Sequence, residues 1–363
     1  MSNIIDIGID LKQQYQIYVG QHLGEDFKAF CKGRYPSAKA FVIIDENVYQ
    51  LHEERVKTLM DFFDEVHFLT VPQGETSKSV KLWHRFVNEI LEIGLERSTP
   101  IIGIGGGVTG DLAGFVAATV LRGVPLVHVP TTLLAMVDSS IGGKTGVNHS
   151  TGKNLIGSFY QPDAVFADIA FLETLEESEW ITGMAEILKY AAIRNPKLFG
   201  ELDELVHQPL TPKSRWADVI EESARIKSDI VQEDTLEAGK RAYLNFGHTF
   251  GHALEKVSGY GAITHGEAVF VGMIAATYFS DQLDHPVDDT RFSPFLALYK
   301  KQMSPLSANA EELIEAMKSD KKVKNNIIRL VLLNDWGSPY LYSCEQRALL
   351  EESWSYTLKK FNQ

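Results

Sequence analysis

Five short runs rich in β-branched residues alternate with longer amphipathic stretches between residues 40 and 168. The runs lie at residues 40–45, 65–71, 100–104, 125–129 and 164–168. Continuous apolar strands of this kind are buried on both faces, and strands separated by helices usually pair in parallel. The pattern therefore predicts an α/β N-terminal domain with a mostly parallel, Rossmann-like sheet covered by helices.

The strand signal largely stops after Leu175. Beyond it, helical stretches separated by Gly, Pro or polar breaks lie at residues 179–194, 216–234, 240–257, 266–282 and 309–319. A late pair of apolar runs, 327–333 and 340–343, predicts a small hairpin. We therefore predict an α/β domain over residues 1–175 and a mainly α-helical domain over residues 176–363, with the active site in the cleft between them.

Charge and composition exclude several classes of partner. The 363 residues include 35 Lys and Arg against 48 Asp and Glu, a formal net charge of −13. Because an acidic surface repels nucleic acid, we expect no nucleic-acid partner, and an anionic ligand must be held by a local cluster of cations. Cys31 and Cys344 are too far apart for a CxxC motif. With no signal-peptide pattern and no apolar run of about 20 residues, we expect a cytoplasmic protein with no membrane partner.

A glycine-rich turn follows the run at residues 100–104. Gly105, Gly107 and Gly110 satisfy G-x-G-x-x-G and precede an apolar helical stretch. Glycines at such a turn let backbone N–H groups approach a pyrophosphate at a helix N-terminus, but the same pattern also describes a simple tight turn. Asp45 could bind ribose hydroxyls, although it precedes the glycines instead of following them by about 20 residues. The pattern alone leaves nucleotide binding open.

A second glycine-rich segment covers residues 138–154. Its Gly143-Lys144-Thr145 resembles the end of a P-loop, but the first glycine of that motif would fall at Asp138, so we reject a P-loop. Lys144, Lys153 and Asn154 remain as donors for an anionic ligand. We expect a ligand-binding loop, with an ordinary solvated loop as the alternative.

A polar stripe at helical spacing combines an arginine, an amide and two imidazoles: Arg241, Asn245, His248 and His252. Glu186 and Lys189, three residues apart on another helical stretch, and His265, at the start of a third, add further polar candidates. Two neutral imidazoles and one carboxylate form a zinc set with an open position, typical of catalytic sites. The spacing does not decide which two of the three histidines would bind the metal. Gly247 and Gly251 predict a close backbone approach along another face.

Taken together, these blocks resemble the 3-dehydroquinate synthase family. They run in order over most of residues 45–322: Asp45-Glu-Asn47, Gly74 to Lys78, Gly105 to Asp111, Pro130-Thr-Thr132, Asp138 to Asn154, Phe171 to Leu175, Gly183 to Tyr190, Asn245 to Glu255, His265 to Ala268 and Asp320-Lys-Lys322. The resemblance implies conversion of 3-deoxy-D-arabino-heptulosonate 7-phosphate to 3-dehydroquinate and phosphate in the shikimate pathway. It also implies a regenerated NAD bound by the first domain and one divalent metal, zinc or cobalt, bound by the second.

The resemblance also implies roles for individual residues. The metal ligands match Glu186, His248 and His265, which leaves His252 as a substrate-side or proton-relay residue. The NAD contacts match Asp45, Asn47, Glu75, Lys78, Gly106, Gly107, Asp111, Thr131, Thr132, Phe171 and Thr174. Contacts to the small anionic sugar phosphate match Asp138, Lys144, Lys153, Asn154, Lys189, Lys227, Arg241, Asn245 and one of Lys321 and Lys322. Arg122 matches an arginine that the family supplies across a dimer interface, so a homodimer is implied.

Two other functions remain as alternatives. A metal-dependent, NAD-linked polyol or alcohol dehydrogenase would share the glycines and histidines, but it has no need for so many cations around its site. A non-catalytic protein of the same fold could still bind a metal or a nucleotide. Related sugar phosphate cyclases share the glycine, Glu and His blocks. The dehydroquinate assignment is favoured by Lys227, Arg241, Asn245, His252 and the Asp320-Lys-Lys322 segment.

Overall fold

The computed structural model describes residues 3–9, 13–35, 39–212, 214–235, 239–259, 262–318 and 327–363. Up to residue 176 the chain forms β1 (Asn3–Ile9), β2 (Gln13–Gly20), α1 (Gly24–Arg34), β3 (Lys39–Asp45), α2 (Glu46–Met60), β4 (Glu65–Val71), α3 (Val80–Ile93), β5 (Ile101–Gly105), α4 (Gly107–Thr119), β6 (Leu126–Pro130), β7 (Lys144–His149), β8 (Gly152–Phe159) and β9 (Ala164–Asp168).

The rest of the described chain is mainly helical. It forms α5 (Glu177–Ile193), α6 (Lys197–Val206), α7 (Ser214–Glu233), α8 (His248–Ser258), α9 (His265–Asp281), α10 (Ser293–Gln302), α11 (Ala310–Lys318), β10 (Ile328–Asp335), β11 (Ser338–Cys344) and α12 (Arg347–Asn362). Strands β10 and β11 pair as the antiparallel hairpin that the sequence predicts. None of the helices in these described ranges is long and apolar enough to cross a membrane.

The chain divides into two compact units. One contains Met1–Glu176 and Thr211–Leu236, and the other contains Glu177–Leu210 and Glu237–Gln363. The chain first passes from one unit to the other after Glu176, beside the boundary predicted near residue 175. Helix α7, which the sequence pattern assigns to the second domain, instead packs within the first unit, where it contacts β1 and β2.

The first unit is built on a seven-stranded sheet with the order β1-β2-β9-β6-β5-β3-β4. All neighbours are parallel except β1 and β2, and the five strands predicted from the apolar runs are β3, β4, β5, β6 and β9. From β3 the chain continues outward to β4, and from β5 it continues in the opposite direction to β6. The gap between β3 and β5 is therefore a topological switch point, where open α/β sheets bind ligands beyond their carboxyl ends.

The predicted loop at residues 138–154 is largely regular. A π-helical turn, Ala135–Ser139, leads into the antiparallel hairpin of β7 and β8. The hairpin lies against α4, where a Cβ on Gly114 would come within 2.4 Å of Thr145 Cγ2. Because Gly114 has no side chain, the hairpin can pack against α4. The glycine-rich composition of residues 138–154 does not reveal this contact.

In the second unit, the continuous helix predicted over residues 240–257 is wrong for the first part of that range. The segment forms a 3₁₀ turn, Lys240–Asn245, and α8 starts only at His248, because Gly247 takes a left-handed φ of 78°. Arg241 and Asn245 therefore do not share one continuous helix with His248 and His252. The predicted close approach is present: a Cβ on Gly251 would lie 2.9 Å from the Ala268 carbonyl oxygen of α9.

Candidate active site

Three helices of the second unit bring one carboxylate and two imidazoles together. Glu186 lies in the middle of α5, and His248 and His265 are the first residues of α8 and α9. Oε1 of Glu186 is 3.5 Å from Nε2 of His248 and 3.7 Å from Nε2 of His265. All three ligand atoms lie within 4.8 Å of one another. His265 is fixed at its helix start by a capping box between Thr264 and Glu267.

Hydrogen bonds around His248 and Glu186 orient the possible ligand atoms of the two side chains towards each other. Nδ1 of His248 lies 3.2 Å from the Phe246 carbonyl oxygen, which can only accept, so Nδ1 carries the proton and the Nε2 lone pair faces Glu186. Lys189 donates to Oε2 of Glu186, and both side chains are only 1% exposed. One carboxylate oxygen is thus engaged by the lysine while the other faces the imidazoles.

This donor set fits a divalent metal. Ligands about 2.1 Å from a tetrahedral zinc lie roughly 3.4 Å apart, close to the two separations measured from Glu186 Oε1. Burial holds the pKa of His248 well below its usual range, which keeps the imidazole neutral. Burial also acts to lower the pKa of His265, but the neighbouring carboxylates of Glu186 and Glu255 outweigh it and raise that pKa to about 10. The cluster of acids around His265 therefore attracts positive charge.

A second group also brings three ligand atoms within 4.8 Å: His252, Glu255 and His265. Its members are all partly exposed, whereas Glu186 is buried. The His252 ring centroid lies 5.6 Å from that of His248, one helical turn away. The first group combines a buried carboxylate with an imidazole whose lone pair is directed at it, so it is the better metal site.

Three other predicted residues of the second unit are described: Arg241 and Asn245 in the 3₁₀ turn before α8, and Lys189 in α5. Arg241 is 1% exposed in the 3₁₀ turn before α8, and Asn245 donates its Nδ2–H to the Ala242 carbonyl oxygen at 3.0 Å. Lys189 also lies over the ring of Tyr190, 4.8 Å from its centroid. Lys321, Lys322 and the rest of the Asp320-Lys-Lys322 block lie outside the described residues.

In the first unit, the residues predicted to bind NAD follow the carboxyl ends of parallel strands. Asp45 ends β3 and caps α2, where its Oδ1 accepts from the backbone N–H groups of Asn47 and Val48. Burial raises the pKa of Asp45. Gly106 and Gly107 follow β5, Thr131 and Thr132 follow β6, and Phe171 and Thr174 follow β9. Asp45 and the two glycines therefore lie at the switch point between β3 and β5, and the residues after β6 and β9 lie further along the same edge of the sheet.

The turn after β5 has the properties of a phosphate cradle. Gly106 is the N-cap of α4, so unpaired N–H groups of the first turn face outward. A Cβ on Gly106 would lie 3.1 Å from Thr132 Cγ2, and one on Gly107 would lie 3.1 Å from Ser139 Oγ. Among the described residues, the buried hydroxyls of Thr109 and Thr131 find no hydrogen-bond partner. Donors without partners beside tightly packed glycines fit a dinucleotide.

A partly buried ion pair joins α4 to the segment after β4. Lys78 donates to Oδ2 of Asp111 in α4. Burial raises the pKa of Asp111, and the charge and hydrogen bond of Lys78 oppose that shift. Glu75 lies in the 3₁₀ turn three residues before Lys78, and its Oε1 accepts from Asn148 Nδ2 at 2.7 Å.

The segment after β9 is held by α2. Nε2 of His52 lies 2.7 Å from Thr174 Oγ1, and the His52 ring stacks edge-on against Phe171. The Arg55 guanidinium lies 5.2 Å from the Phe171 ring centroid and donates to the Ala170 carbonyl oxygen at 2.6 Å. These contacts set the positions of both predicted NAD residues of this segment.

The remaining predicted substrate residues also lie in the first unit. Lys227 of α7 is 2.8 Å from Oδ1 of Asp138 and donates to the Asp138 carbonyl oxygen at 2.6 Å. Lys144 begins β7, Lys153 and Asn154 lie in β8, and all three are exposed. Arg122 is exposed in a turn after α4 with a left-handed φ of 65°.

The sequence patterns missed three residues that contact this machinery: His52, Asn148 and Glu255. Helical spacing could have revealed Glu255, because it follows His252 by three residues on α8. No local pattern in the sequence pairs Asn148 with Glu75 or His52 with Thr174. The first pair is 73 residues apart in the chain and the second pair is 122 residues apart, so only the fold brings them together.

Comparisons with known proteins agree with this arrangement. Residues 68–182 match the family model described as 3-dehydroquinate synthase N-terminal, and residues 183–323 match the one described as 3-dehydroquinate synthase C-terminal. The chain is 44% identical to a 3-dehydroquinate synthase of Salinibacter ruber over 88% of each chain. It is 39% identical to a 3-dehydroquinate synthase of Bacillus cytotoxicus over 93% of this chain and 92% of the relative.

A solved structure extends the comparison to ligands. A 2-deoxy-scyllo-inosose synthase complexed with carbaglucose-6-phosphate, NAD+ and Co2+ is 26% identical and superposes with a TM-score of 0.84 over 97% of this chain and 99% of the other. The two family models together span the phosphate cradle, the hairpin and all three residues of the Glu186 metal set. On these matches, the chain belongs to the 3-dehydroquinate synthase family.

Proposed function

We propose that this chain is a cytoplasmic carbon–oxygen lyase that converts 3-deoxy-D-arabino-heptulosonate 7-phosphate to 3-dehydroquinate and phosphate. The observation that carries the proposal is the convergence of Glu186, His248 and His265 in a chain 44% identical to a 3-dehydroquinate synthase. A bound metal would polarise the substrate hydroxyl, and NAD would accept a hydride and later return it. The reaction is redox-neutral, so NAD is needed only in catalytic amounts.

The chain's own residues prepare the metal site. Nε2 of His248, Nε2 of His265 and Oε1 of Glu186 would be the ligands. Because Lys189 donates to the other oxygen of Glu186, it favours the ionised carboxylate that metal binding requires. We also assign to Lys189 the binding of an anionic group of the substrate.

The substrate carries a carboxylate and a phosphate at opposite ends, and both need charge-assisted donors. We assign that role to residues on two separate elements: Lys144, Lys153 and Asn154 on the β7–β8 hairpin, and Arg241 and Asn245 on the 3₁₀ turn before α8. Lys227, held by Asp138, adds a further cation. Fixing both ends holds the reacting hydroxyl and the adjacent C–H in one orientation.

Proton transfers need few dedicated groups. Oxidation of the hydroxyl to a ketone acidifies the adjacent C–H, and the departing phosphate can take that proton as it leaves. His252, one turn after His248 with its ring facing the same cluster, can give or take a proton at a ring nitrogen during ring opening and aldol closure.

NAD binding is assigned to the switch-point edge of the first unit. Gly106, Gly107 and the first turn of α4 would bind the pyrophosphate, and Thr131 and Thr132 lie beside them. Asp45, Asn47, Glu75, Lys78, Asp111, Phe171 and Thr174 complete the set. The hydroxyl of Thr131, which has no hydrogen-bond partner in the described chain, supports this assignment.

A homodimer is part of the proposal. Leu121 and Arg122 are both exposed and both left-handed, with φ of 47° and 65°, in a turn that ends at Gly123. Non-glycine residues in this conformation are strained and tend to mark functional positions. Sedimentation should give a dimer, and Arg122→Ala should lose activity while staying dimeric. A fully active wild-type monomer would contradict this part of the proposal.

The reaction itself is tested with metal-loaded protein, the heptulosonate phosphate and a trace of NAD. We expect many phosphates released per NAD and no net NADH. Conversion of the added NAD to NADH, after which turnover stops, would instead indicate the polyol or alcohol dehydrogenase alternative. A loaded protein that is inert in the assay would favour the non-catalytic alternative.

A further inference from the structure

Asn148 joins two segments of the first unit that are far apart in sequence. Its Nδ2 donates to Oε1 of Glu75 at 2.7 Å, and its Oδ1 accepts the backbone N–H of Asn154 at 2.9 Å. Its own backbone N–H donates to the Lys78 carbonyl oxygen at 2.8 Å. One residue near the end of β7 therefore contacts the turn after β4 and the start of β8 at the same time.

The neighbours determine the orientation of the amide. The backbone N–H of Asn154 can only donate, so it requires the amide oxygen of Asn148. Oε1 of Glu75 accepts the other hydrogen bond, so it requires the amide nitrogen. Both requirements select the same orientation, and an asparagine is the side chain of this length that offers a donor and an acceptor at once. Aspartate would present a carboxylate to a carboxylate at this distance.

The two bridged segments hold different parts of the proposed site. Glu75 and Lys78 belong to the proposed NAD set, and Lys78 is itself bound to Asp111 of α4. Asn154 belongs to the proposed substrate set and takes a left-handed φ of 54°, which is sparsely populated for a non-glycine residue. The hydrogen bond from its N–H to Asn148 stabilises that conformation next to Lys153.

We propose that Asn148 is a positioning residue that ties the NAD-binding turn at Glu75–Lys78 to the substrate-binding turn at Lys153–Asn154. This proposal rests on the proposed function, because that function assigns the two turns to NAD and to the sugar phosphate. Asn148 touches neither reacting atoms nor cofactor in the proposal; it acts through Glu75 and Asn154.

The test is a double-mutant cycle on metal-loaded enzyme with Asn148→Asp, Glu75→Gln and the combined variant. In the single Asn148→Asp variant two carboxylates oppose each other, so the KM for the heptulosonate phosphate and the Kd of NAD should each rise about tenfold or more. In the Glu75→Gln background the new amide donates to the new carboxylate, which still accepts from Asn154. There the same Asn148→Asp change should alter both constants less than about twofold.

Two further variants separate positioning from general damage. Asn148→Ala should raise the substrate KM about tenfold while kcat changes less than about threefold, because the reacting groups themselves remain. Ser150→Ala, in the exposed turn of the same hairpin, should match the wild type in both constants. Unfolding temperatures of all variants should stay close to that of the wild type.

Equal effects of Asn148→Asp in the two backgrounds would overturn the proposal, as would an unchanged KM in Asn148→Ala. If the wild type binds NAD but releases no phosphate, the proposed function fails and the inference is judged from the NAD titrations alone. A smaller effect of Asn148→Asp on the Kd of NAD in the Glu75→Gln background would then support the link to Glu75. An equal effect in the two backgrounds would overturn it.

Discussion

The carboxylate of Glu255 faces His265 from the side opposite Glu186, with Oε1 3.8 Å from Nδ1 of the imidazole. Histidines that bind metals usually donate their second N–H to a carboxylate, a carbonyl oxygen or water, which fixes the tautomer and the ring orientation. The negative charge of Glu255 beside Nδ1 favours a proton on that nitrogen and leaves Nε2 of His265 for the metal beside Glu186.

Glu255→Gln should weaken zinc binding about tenfold to a hundredfold without unfolding the protein, because an amide is a poorer partner for the imidazole N–H. Competition with a chromophoric chelator measures the affinity. Glu311→Gln, at an exposed acid on α11, serves as the control and should bind zinc like the wild type. Wild-type affinity in Glu255→Gln would show that Glu255 does not orient His265.

Removal of a ligand should have a larger effect than removal of its partner. His248→Ala should leave less than about a tenth of the wild-type zinc per chain after dialysis, since two remaining ligands bind zinc weakly. His207→Ala removes an exposed histidine just after the end of α6, with Nε2 3.1 Å from Asp203 Oδ1, and it should keep full zinc. Full zinc in His248→Ala would favour the second group of His252, Glu255 and His265.

Features that depend on local pattern were predictable from the sequence. The strands β3, β5, β6 and β9 are continuous apolar runs because helices cover both faces of their sheet, and the runs identified them. The spacing of polar residues also identified candidate metal ligands. It did not choose among the three histidines, and that choice came from the family resemblance and from the position of Glu186 between two of them.

Features that depend on distant contacts were not predictable. Helical spacing continues from Arg241 to His252, yet the helix breaks because Gly247 meets α9, which lies nearly twenty residues further along the chain. The hairpin of β7 and β8 lies against α4 at Gly114 although its composition is that of a loop. Helix α7 has an ordinary amphipathic pattern, and that pattern does not specify which unit it packs against.

The contact between α8 and α9 predicts a strong dependence on one glycine. A Cβ on Gly272 would lie 2.0 Å from the Gly247 carbonyl oxygen and 2.8 Å from the Gly251 nitrogen, both backbone atoms. Gly272→Ala must therefore push the two helices apart, with a loss of about 2–4 kcal/mol in the free energy of unfolding. Because these helices carry His248 and His265, zinc affinity should fall as well.

Gly200 provides the matched control for Gly272. It lies inside α6, and an added Cβ there meets nothing within 4 Å. Gly200→Ala should stabilise the protein by about 0.5–1 kcal/mol, because alanine is the better helix former, and leave zinc binding unchanged. Denaturant unfolding and zinc titration of both variants measure the difference, and equal unfolding energies would contradict the packing argument.

His128 on β6 predicts how the stability of the first unit depends on pH. Its imidazole packs where two glycines lack side chains: a Cβ on Gly103 would lie 3.3 Å from Nδ1, and one on Gly110 would lie 3.8 Å from Cε1. Burial lowers its pKa from 6.5 to about 4. The folded protein therefore holds a neutral imidazole at pH values where the unfolded chain holds a charged one.

Above pH 6.5 both states are neutral and His128 makes no pH-dependent contribution. As the pH falls from 6.5 towards 4, only the unfolded state gains a proton, so the free energy of unfolding should drop by about 2 kcal/mol between pH 7 and pH 5. Below pH 4 the folded state is protonated too and the loss levels off. His128→Gln cannot titrate, so urea unfolding of this variant should lack that part of the decline. The same decline in His128→Gln as in the wild type would assign the pH dependence to other groups.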